Sequence, residues 1–248
     1  MVELNPMLKV TELDDVGGNA VAIVVCGGSS SRMKGVDKMF APVFGVPVAV
    51  RSILKFQNSP VIDSVVIVTK EENVNRFAKL CKEYKLQKVT DIVVGGKCRQ
   101  ESVYNGLKVV SDDAQYVLIH DGARPFVTKE CIELVLDGAK RFNAVAAAVP
   151  LKDTVKRIKG NGDSTVVDTP DRSTLASVQT PQGFRTDIYK EAIEALKDRL
   201  EDFTDDCSIV EAYGQSVCLV DGDYRNVKIT TAEDLEIAEI LAKGERQQ

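Results

Sequence analysis

The side chains best suited to chemistry in this chain are basic residues that lie close to glycine pairs. The stretch CGGSSSRM, residues 26–33, follows an apolar run, contains Arg32, and is followed shortly by Lys38. Two adjacent glycines let backbone N–H groups approach an anion closely, and the start of a helix after them would add its dipole. The pattern predicts a phosphate-binding loop, with a plain strand-to-helix turn carrying surface charges as the open alternative.

Two familiar phosphate-binding loops are excluded here. A Walker loop needs GxxxxGK[ST], but Met33 stands five residues after Gly28. A dinucleotide fingerprint needs GxGxxG, and no third glycine stands at that spacing.

A second glycine pair and an Asp–Arg stretch give two further candidates. In VVGGKCRQESV, residues 93–103, the glycines end a predicted strand, and Arg99 and Ser102 begin a helix. In VLIHDGARPF, Asp121 follows a buried strand and Arg124 comes three residues later. An aspartate there can bind a hydroxyl or help to hold a metal, and an arginine can grip a phosphate. The plain alternatives are an ordinary strand-to-helix connection and an Asp–Arg pair that braces its own loop.

A lysine near the C-terminus is the last candidate. Lys228 lies in RNVKITTAEDL between two apolar residues, so in an extended segment it points away from them. A charge on an edge strand that faces water is the alternative interpretation.

Alternating strand and helix patterns must position these residues. They predict a mostly parallel sheet flanked by helices, a Rossmann-like α/β fold in which ligands bind beyond the carboxyl ends of the strands. The loops after Cys26, Val94 and His120 should therefore share one rim. The predicted strands are Ala20–Cys26, Ser64–Thr69, Asp91–Val94, Tyr116–His120 and Ala144–Val149, and the predicted helices are Val48–Gln57, Glu71–Tyr84, Arg99–Val110 and Lys129–Arg141.

The alternation stops after Pro150. Short extended segments flank KGNGD, whose glycines and asparagine suit a hairpin turn. We expect a projecting β-arm over about 150–180 that rests on a partner subunit, because isolated hairpins are marginal in water. Beyond it the sequence predicts helices over Thr186–Leu200 and Asp205–Tyr213, strands over Val217–Val220 and Asn226–Ile229, and a capping box of Thr230 with Glu233 that opens a helix through Ala242.

Bulk composition excludes several protein classes. The 248 residues carry a net charge of −5, which disfavours a broad nucleic-acid surface, and no apolar run is long enough to span a bilayer. The first residues are acidic and lack the apolar block of a signal peptide, so we expect a cytoplasmic protein with an extension over 1–19 and a single domain over 20–248. The six cysteines form no CxxC pair, which indicates reduced thiols and no zinc site.

The near absence of histidine narrows the reaction type. A Ser-His-Asp triad would need His120, the one histidine, and the chain has no GxSxG elbow. Nucleotidyl transfer needs no strong protein base when the attacking group is itself a phosphate, whose second pKa is about 6. Mg²⁺, arginines and lysines would then catalyse by positioning groups and neutralising charge.

Seven stretches in order resemble one known family. The chain is similar to 2-C-methyl-D-erythritol 4-phosphate cytidylyltransferases from Ala20 to Leu241. The resemblance implies transfer of CMP from CTP to 2-C-methyl-D-erythritol 4-phosphate in the non-mevalonate isoprenoid pathway, with Mg²⁺ and a homodimer clasped through the β-arm. The stretches are GGSSSRM followed by DK, GGKCRQESV, HDGARPF, LKDTVKR, QTPQGF, FTDDCS and NVKITTAEDL.

The resemblance also implies roles on the nucleotide side of the site. Arg32 and Lys38 would stabilise the α-phosphate as it becomes five-coordinate, and Lys228 would assist there. Gly96 and Ser102 would read the cytosine. The implied CTP-binding residues are Cys26, Gly27, Gly28, Ser29, Ser30, Gly96, Arg99, Ser102 and Asp121.

Other roles are implied on the sugar-phosphate side. Thr154 and Arg172 on the arm would reach the partner's site, with Arg172 gripping the phosphate, and Thr180 would line that pocket from its own chain. Arg124 would brace or touch it. Asp121 would bind the hydroxyls or lie near Mg²⁺, which the phosphates of CTP would mainly hold.

Three positions depart from the family pattern. Ser30 replaces the second glycine of the first loop, Asp37 replaces a proline, and Lys97 stands where an aspartate often follows the second glycine pair. Three alternatives remain open. They are a ribitol 5-phosphate cytidylyltransferase, a nucleotide-binding module without turnover, and a dinucleotide-dependent oxidoreductase.

Overall fold

A seven-stranded sheet lies at the centre of the computed structural model, which describes residues 19–28 and 37–245. The strands are β1 (Ala20–Val25), β2 (Pro42–Val43), β3 (Val46–Pro47), β4 (Ser64–Thr69), β5 (Val89–Val94), β6 (Tyr116–Asp121), β7 (Ala144–Pro150), β8 (Arg157–Gly160), β9 (Asp163–Asp168), β10 (Ala176–Arg185) and β11 (Cys218–Asp221). The helices are α1 (Val48–Gln57), α2 (Val74–Glu83), α3 (Arg99–Leu107), α4 (Lys129–Phe142), α5 (Thr186–Ala195), α6 (Asp206–Ala212) and α7 (Ala232–Glu245).

The strand order of the central sheet is β11–β7–β10–β6–β1–β4–β5. Strand β10 runs antiparallel to both of its neighbours, and every other pair is parallel. The predicted fold class is therefore confirmed. The carboxyl ends of β1, β4, β5 and β6 lie together at one edge, which is where the sequence predicts the ligand site.

Both faces of the sheet are buried, as the nearly continuous apolar strands predict. In β1, Ala20, Ala22 and Val24 face one core with α1, α2 and α4, whereas the alternate residues face a second core with α3, α5 and α6. A third, smaller cluster packs α7 against Phe126 and the β2–β3 hairpin. The loops at the carboxyl edge are thus fixed by a core on each side.

Strand β10 corrects the sequence prediction. The predicted arm ran to about residue 180, but Ala176–Arg185 forms a strand of the central sheet between β6 and β7. The stretch QTPQGF was not recognised as a strand because it is polar and has few β-branched residues. Its polar side chains are nevertheless buried. Burial of Gln179, Thr180 and Gln182 is tolerated because all three form hydrogen bonds.

The β-arm itself is the hairpin of β8 and β9, which forms a two-stranded sheet of its own. Gly160, Asn161 and Gly162 all have positive φ angles of 78°, 51° and 85°, as the predicted turn requires.

Three details near the helices also differ from prediction. The segment Asn226–Ile229 is not a strand, although its last N–H donates to the carbonyl of Ala123. The capping box of α7 lies one residue later than predicted. The N–H of Asp234 donates to Thr231 Oγ1 (3.4 Å), and the N–H of Thr231 donates to the Asp234 carboxylate (2.8 Å). Helix α2 is preceded by a 3₁₀ turn over Glu71–Asn73, so the predicted single helix is divided.

Candidate active site

A cleft of about 450 Å³ opens at the carboxyl edge of the sheet. Among the described residues that line it, five side chains are basic and one is acidic, in a protein whose net charge is −5. Such a concentration of positive charge suits a ligand with several phosphates. The residues that line the cleft are Val25, Gly27, Gly28, Lys38, Met39, Lys70, Gly96, Lys97, Cys98, Arg99, Ser102, Asp121, Ala123 and Lys228.

The loop after β1 forms one wall of this cleft through Gly27 and Gly28. Lys38, which follows this loop, also lines the cleft, and its Nζ donates to the carbonyl of Ile229 (3.2 Å). Cys26 directly follows β1 and is buried, and burial raises the pKa of its thiol far above the ordinary value, which favours the unreactive neutral thiol. Three residues predicted in this loop, Ser29, Ser30 and Arg32, lie outside the described residues.

The loop before α3 forms the opposite wall. The N–H of Gly96 donates to Ser102 Oγ (3.0 Å), and Ser102 Oγ–H donates to the carbonyl of Cys98 (2.9 Å). A side chain at position 96 would approach the Glu101 side chain to 2.3 Å, so the close fit of this turn explains the glycine. The two residues predicted to read cytosine therefore lie in direct contact.

Asp121 lies at the end of β6 and is the acidic residue of the cleft. Its Oδ1 accepts from Arg99 Nε (3.0 Å), its Oδ2 pairs with Lys228 Nζ (2.7 Å), and Arg124 Nε is 3.7 Å from Oδ2. Burial alone would raise the pKa of this carboxyl, but the charges of Arg99 and Lys228 outweigh burial and hold the pKa well below its usual range. Asp121 is thus ionised throughout the physiological range.

A chain of hydrogen bonds behind Asp121 fixes its backbone. The N–H of Asp121 donates to Thr180 Oγ1 (3.0 Å), and Thr180 Oγ1 lies 3.1 Å from His120 Nδ1. His120 Nε2 lies 3.0 Å from the carbonyl of Arg124, which can only accept. His120 Nε2 therefore carries the proton, and the threonine hydroxyl donates to Nδ1. Burial lowers the pKa of His120 to about 4, so the ring is neutral and structural.

Thr180 is buried and Arg124 is partly buried, and neither of these predicted substrate contacts is among the described residues that line the cleft. Arg124 Nη1 donates to the carbonyl of Asn226 (2.6 Å), and its guanidinium also faces Asp121. The arginine therefore braces the loop after β6, which the sequence left open as an alternative to phosphate binding. The Thr180 hydroxyl is engaged by Asp121 and His120.

Arg99 bridges two carboxylates. Its Nε donates to Asp121 Oδ1, and its Nη1 donates to Asp206 Oδ2 (2.6 Å). Burial would lower the pKa of Arg99, but the two carboxylates outweigh burial and raise it. The guanidinium is therefore a permanent cation in the wall of the cleft.

The predicted arm residues lie apart from this cleft in the same chain. Thr154 and Arg172 are exposed, and neither is among the described residues that line the cleft. Arg172 Nη1 donates to the carbonyl of Lys152 (2.5 Å), and the short 3₁₀ turn that carries Arg172 is capped by Asp171.

Metal binding by the protein alone finds little support in the donor set. Among residues 19–28 and 37–245, no group of three or more His, Cys, Asp or Glu side chains is placed to hold an ion. Asp121 is the acidic side chain of the cleft, and basic groups already engage both of its oxygens. The described residues therefore do not form a metal site of their own, and the basic groups on both Asp121 oxygens disfavour a metal ion ligated directly by that carboxylate.

Two further residues of this region were not predicted. Lys70 lines the cleft and directly follows β4, so the rule that identified Asp121 after β6 could also have found it. Asp206 is fully buried behind Arg99. It lies in FTDDCS, one of the stretches that carry the resemblance, but no role could be assigned to it because its contact with Arg99 spans 107 positions of the chain.

Comparison with known proteins gives a consistent result. A family model described as 2-C-methyl-D-erythritol 4-phosphate cytidylyltransferase matches residues 20–243. A protein of that name from Clostridium botulinum is 43% identical over 226 residues, which make up 91% of this chain and 98% of the relative. Another from Dehalococcoides mccartyi is 45% identical over 225 residues, with 91% and 96% covered.

Solved structures agree with the sequence relatives. The 4-diphosphocytidyl-2C-methyl-D-erythritol synthase of Anaerococcus prevotii has a TM-score of 0.80 at 28% identity, covering 91% of this chain and 96% of that one. A 2-C-methyl-D-erythritol 4-phosphate cytidylyltransferase from Thermus thermophilus has a TM-score of 0.71 at 29% identity, with 90% and 99% covered. A separate finding concerns membranes. In the part of the chain that the structure describes, no helix combines the length and apolar character needed to cross a bilayer.

The family model and the curated relatives each cover about nine-tenths of the chain, and the fold and the basic cleft agree with them. The chain therefore belongs to the 2-C-methyl-D-erythritol 4-phosphate cytidylyltransferase family.

Proposed function

We propose that this protein transfers CMP from CTP to 2-C-methyl-D-erythritol 4-phosphate, forming 4-diphosphocytidyl-2-C-methyl-D-erythritol and pyrophosphate. A phosphate oxygen of the sugar alcohol forms a bond to the α-phosphorus of CTP. The bond from that phosphorus to the bridging oxygen of the β-phosphate breaks, and its electrons leave with pyrophosphate. The observation that carries this function is the cleft with five basic side chains and one carboxylate at the carboxyl edge of the sheet.

This reaction needs positive charge in the cleft, and it does not need a protein base. The attacking phosphate has a second pKa of about 6 and is mostly ionised at neutral pH, so no proton needs to be removed. His120 could not serve as that base in any case, because it is fully buried and its Nδ1 already accepts from the Thr180 hydroxyl. The catalytic task is to bring two anions together and to neutralise the charge that develops at phosphorus.

The positions of the described side chains support the residue roles that we propose. Lys38 and Lys228 reach the cleft from the loop after β1 and the segment before α7, and we assign them to the α-phosphate. Arg32 lies outside the described residues, and we assign it to the same phosphate from the resemblance alone. Gly96 and Ser102 form the turn assigned to cytosine. Asp121 holds Lys228 and presents a carboxylate that can accept from the hydroxyls of the sugar alcohol.

Further parts of the proposal concern the metal, the assembly and the location. Mg²⁺ would enter on the phosphates of CTP and lower their negative charge. A homodimer would bring Thr154 and Arg172 of one arm to the partner's cleft, and this is supported by the exposure of both residues and by their absence from the described lining of their own cleft. We place the reaction in the cytoplasm, as the sequence predicts.

Substrate comparison is the decisive experiment. The purified protein is incubated with CTP and Mg²⁺, and with either 2-C-methyl-D-erythritol 4-phosphate or ribitol 5-phosphate. Pyrophosphate release and the mass of the product are measured. We expect product from the erythritol substrate, at a rate at least about 100-fold lower in Lys228→Met, because a cation near the developing charge is lost. Lys243→Met, an exposed lysine of α7, should match wild type.

The alternatives predict different results in the same experiment. Pyrophosphate release with ribitol 5-phosphate alone would overturn the substrate assignment. A CTP-dependent rise in melting temperature without pyrophosphate from either substrate would instead identify a binding module without turnover.

A further inference from the structure

Asp206 is a fully buried carboxylate outside the cleft that contacts the cleft wall. Its Oδ2 accepts from Arg99 Nη1 at 2.6 Å, and its Oδ1 accepts from the hydroxyl of Tyr189 at 2.8 Å. The residue is the first of helix α6, where the helix dipole favours a negative charge. Its position in the fold is therefore well defined.

Separate elements fix the start of α6 against the sheet. Gln182 of β10 accepts from the N–H groups of Asp206 and Cys207 (3.1 Å each), and its Nε2 donates to Asp205 (2.8 Å). Tyr189 of α5 is fully buried and supplies the hydroxyl to Asp206. Asp206 thus has little freedom to move, and it can serve as an anchor for a group that contacts the cleft.

A continuous series of charged contacts connects this anchor to the cleft. Asp206 holds one end of the Arg99 guanidinium, the Nε of Arg99 holds Asp121, and Asp121 holds Lys228 (2.7 Å). A guanidinium is planar, so fixing one nitrogen restricts the direction of the others. The orientation of the Asp121 carboxylate therefore depends on the carboxylate behind Arg99.

We propose that Asp206 is a positioning residue that fixes Arg99, and through Arg99 the Asp121 carboxylate and Lys228, for the reaction proposed above. Without the Asp206 carboxylate, Arg99 is a partly buried cation with a single carboxylate partner, and it turns toward Asp121. Asp121 then shares its oxygens differently between Arg99 and Lys228. A displacement of the reacting groups of about 1 Å can cost about 100-fold in rate.

Asp206→Asn and Asp205→Asn form a matched pair of variants for the test. Both remove one carboxylate at the start of α6, but Asp205 contacts Gln182 and Ser208 rather than Arg99. We expect Asp206→Asn to lower kcat/KM for the sugar phosphate about 10- to 100-fold, with the KM for CTP changed less than about threefold. Asp205→Asn should retain the wild-type kinetic constants, even where its melting temperature falls.

Arg99→Lys gives a second variant should Asp206→Asn fail to fold. It keeps the positive charge, but a single ammonium group cannot span both carboxylates, so kcat/KM for the sugar phosphate should fall in the same direction. Wild-type kinetics in Arg99→Lys would overturn the proposal. So would equal kinetic losses in the two aspartate variants, since these would indicate damage to α6 alone.

A crystal structure of Asp206→Asn separates this proposal from the proposed function. If Asp121 in this variant still contacts Arg99 and Lys228 at the present distances, the positioning role is overturned, whatever the substrate is. Wild-type protein that releases no pyrophosphate would overturn the proposed function alone, and the displacement of Asp121 in the variant would still support the positioning role.

Discussion

Asp121 balances several positive side chains at the centre of the cleft. Lys228 and Arg99 bond to its two oxygens, and Arg124 lies within 3.7 Å. One carboxylate among several cations holds them at fixed positions without cancelling the positive charge that phosphates need. Because the same cations hold its pKa well below the usual range, this arrangement persists at any pH near neutral.

His120 provides a pH test at the scale of a single residue. Burial lowers its pKa to about 4, below the ordinary value of 6.5, so between these values the unfolded chain binds a proton that the folded chain does not. The stabilisation that comes from keeping His120 neutral should therefore be complete above about pH 6.5. Below that pH the free energy of unfolding should fall, by up to about 3 kcal/mol as the pH drops towards 4. Urea unfolding at pH 7.5 and 5.0 measures this loss.

The matching control for this test is His120→Gln, which cannot titrate. Its unfolding free energy should fall less than that of wild type between pH 7.5 and 5.0. An equal fall in both proteins would contradict the assignment of the effect to His120.

Helix α7 fixes Lys228 at the scale of secondary structure. The helix begins at Ala232, four residues after Lys228. The segment between them is held at both sides, because the N–H of Ile229 donates to Ala123 and its carbonyl accepts from Lys38. The Asp234 carboxylate accepts from Thr230 Oγ1 and from the N–H groups of Thr230 and Thr231, and so joins this segment to the helix.

Asp234→Ala should destabilise the protein through the start of α7. It removes an acceptor shared by three donors, and loss of a helix cap of this kind typically costs about 1 kcal/mol. Thermal unfolding should show a clearly larger loss for Asp234→Ala than for Glu233→Ala, an exposed residue of the same turn. The reverse order would support the capping box that the sequence suggests, with Glu233 as the partner.

Local patterns predicted most elements because their signals are themselves local. The six residues of β1 are all buried, and such a run is recognisable without knowledge of its neighbours. Strand β10 gave no such signal, since its buried glutamines and threonine are satisfied by partners distant in sequence, such as Asp205 and Asp223. The shift of the α7 cap by one residue arose because Thr230 and Thr231 are both suitable caps.

At the scale of the whole molecule, distant segments meet at one edge of the sheet. The rule for parallel sheets brought Gly28, Gly96 and Asp121 together correctly. It could not predict that Arg99 would be shared with Asp206, or that Arg124 and Thr180 would be engaged by Asn226, Asp121 and His120. Those outcomes depend on side-chain packing between α3, α6 and β10, which no single stretch of sequence encodes.

The exposed aliphatic side chains of the β-arm are the feature of the whole molecule that the contacts within one described chain do not explain. Ile158, Val166 and Val167 on the hairpin are each about half exposed, at 49%, 51% and 57%. A two-stranded hairpin is marginal in water by itself, and aliphatic side chains of this kind are usually covered. A partner subunit that covers them would also bring Arg172 to a second cleft.

Subunit mixing tests whether the arm completes the partner's site. Arg172→Ala and Lys38→Ala should each have little activity, because one loses a phosphate contact and the other a cation at the α-phosphate. In a heterodimer of the two, one site combines intact Lys38 from one chain with intact Arg172 from the other. Equal mixing after subunit exchange should therefore restore about a quarter of wild-type sites, as random pairing of a symmetric dimer requires.

Pyrophosphate release measures the recovery, and size-exclusion chromatography with light scattering checks the dimer. Activity no higher than the average of the separate variants would mean that each arm serves its own cleft, and the exposed aliphatic residues would then need another explanation.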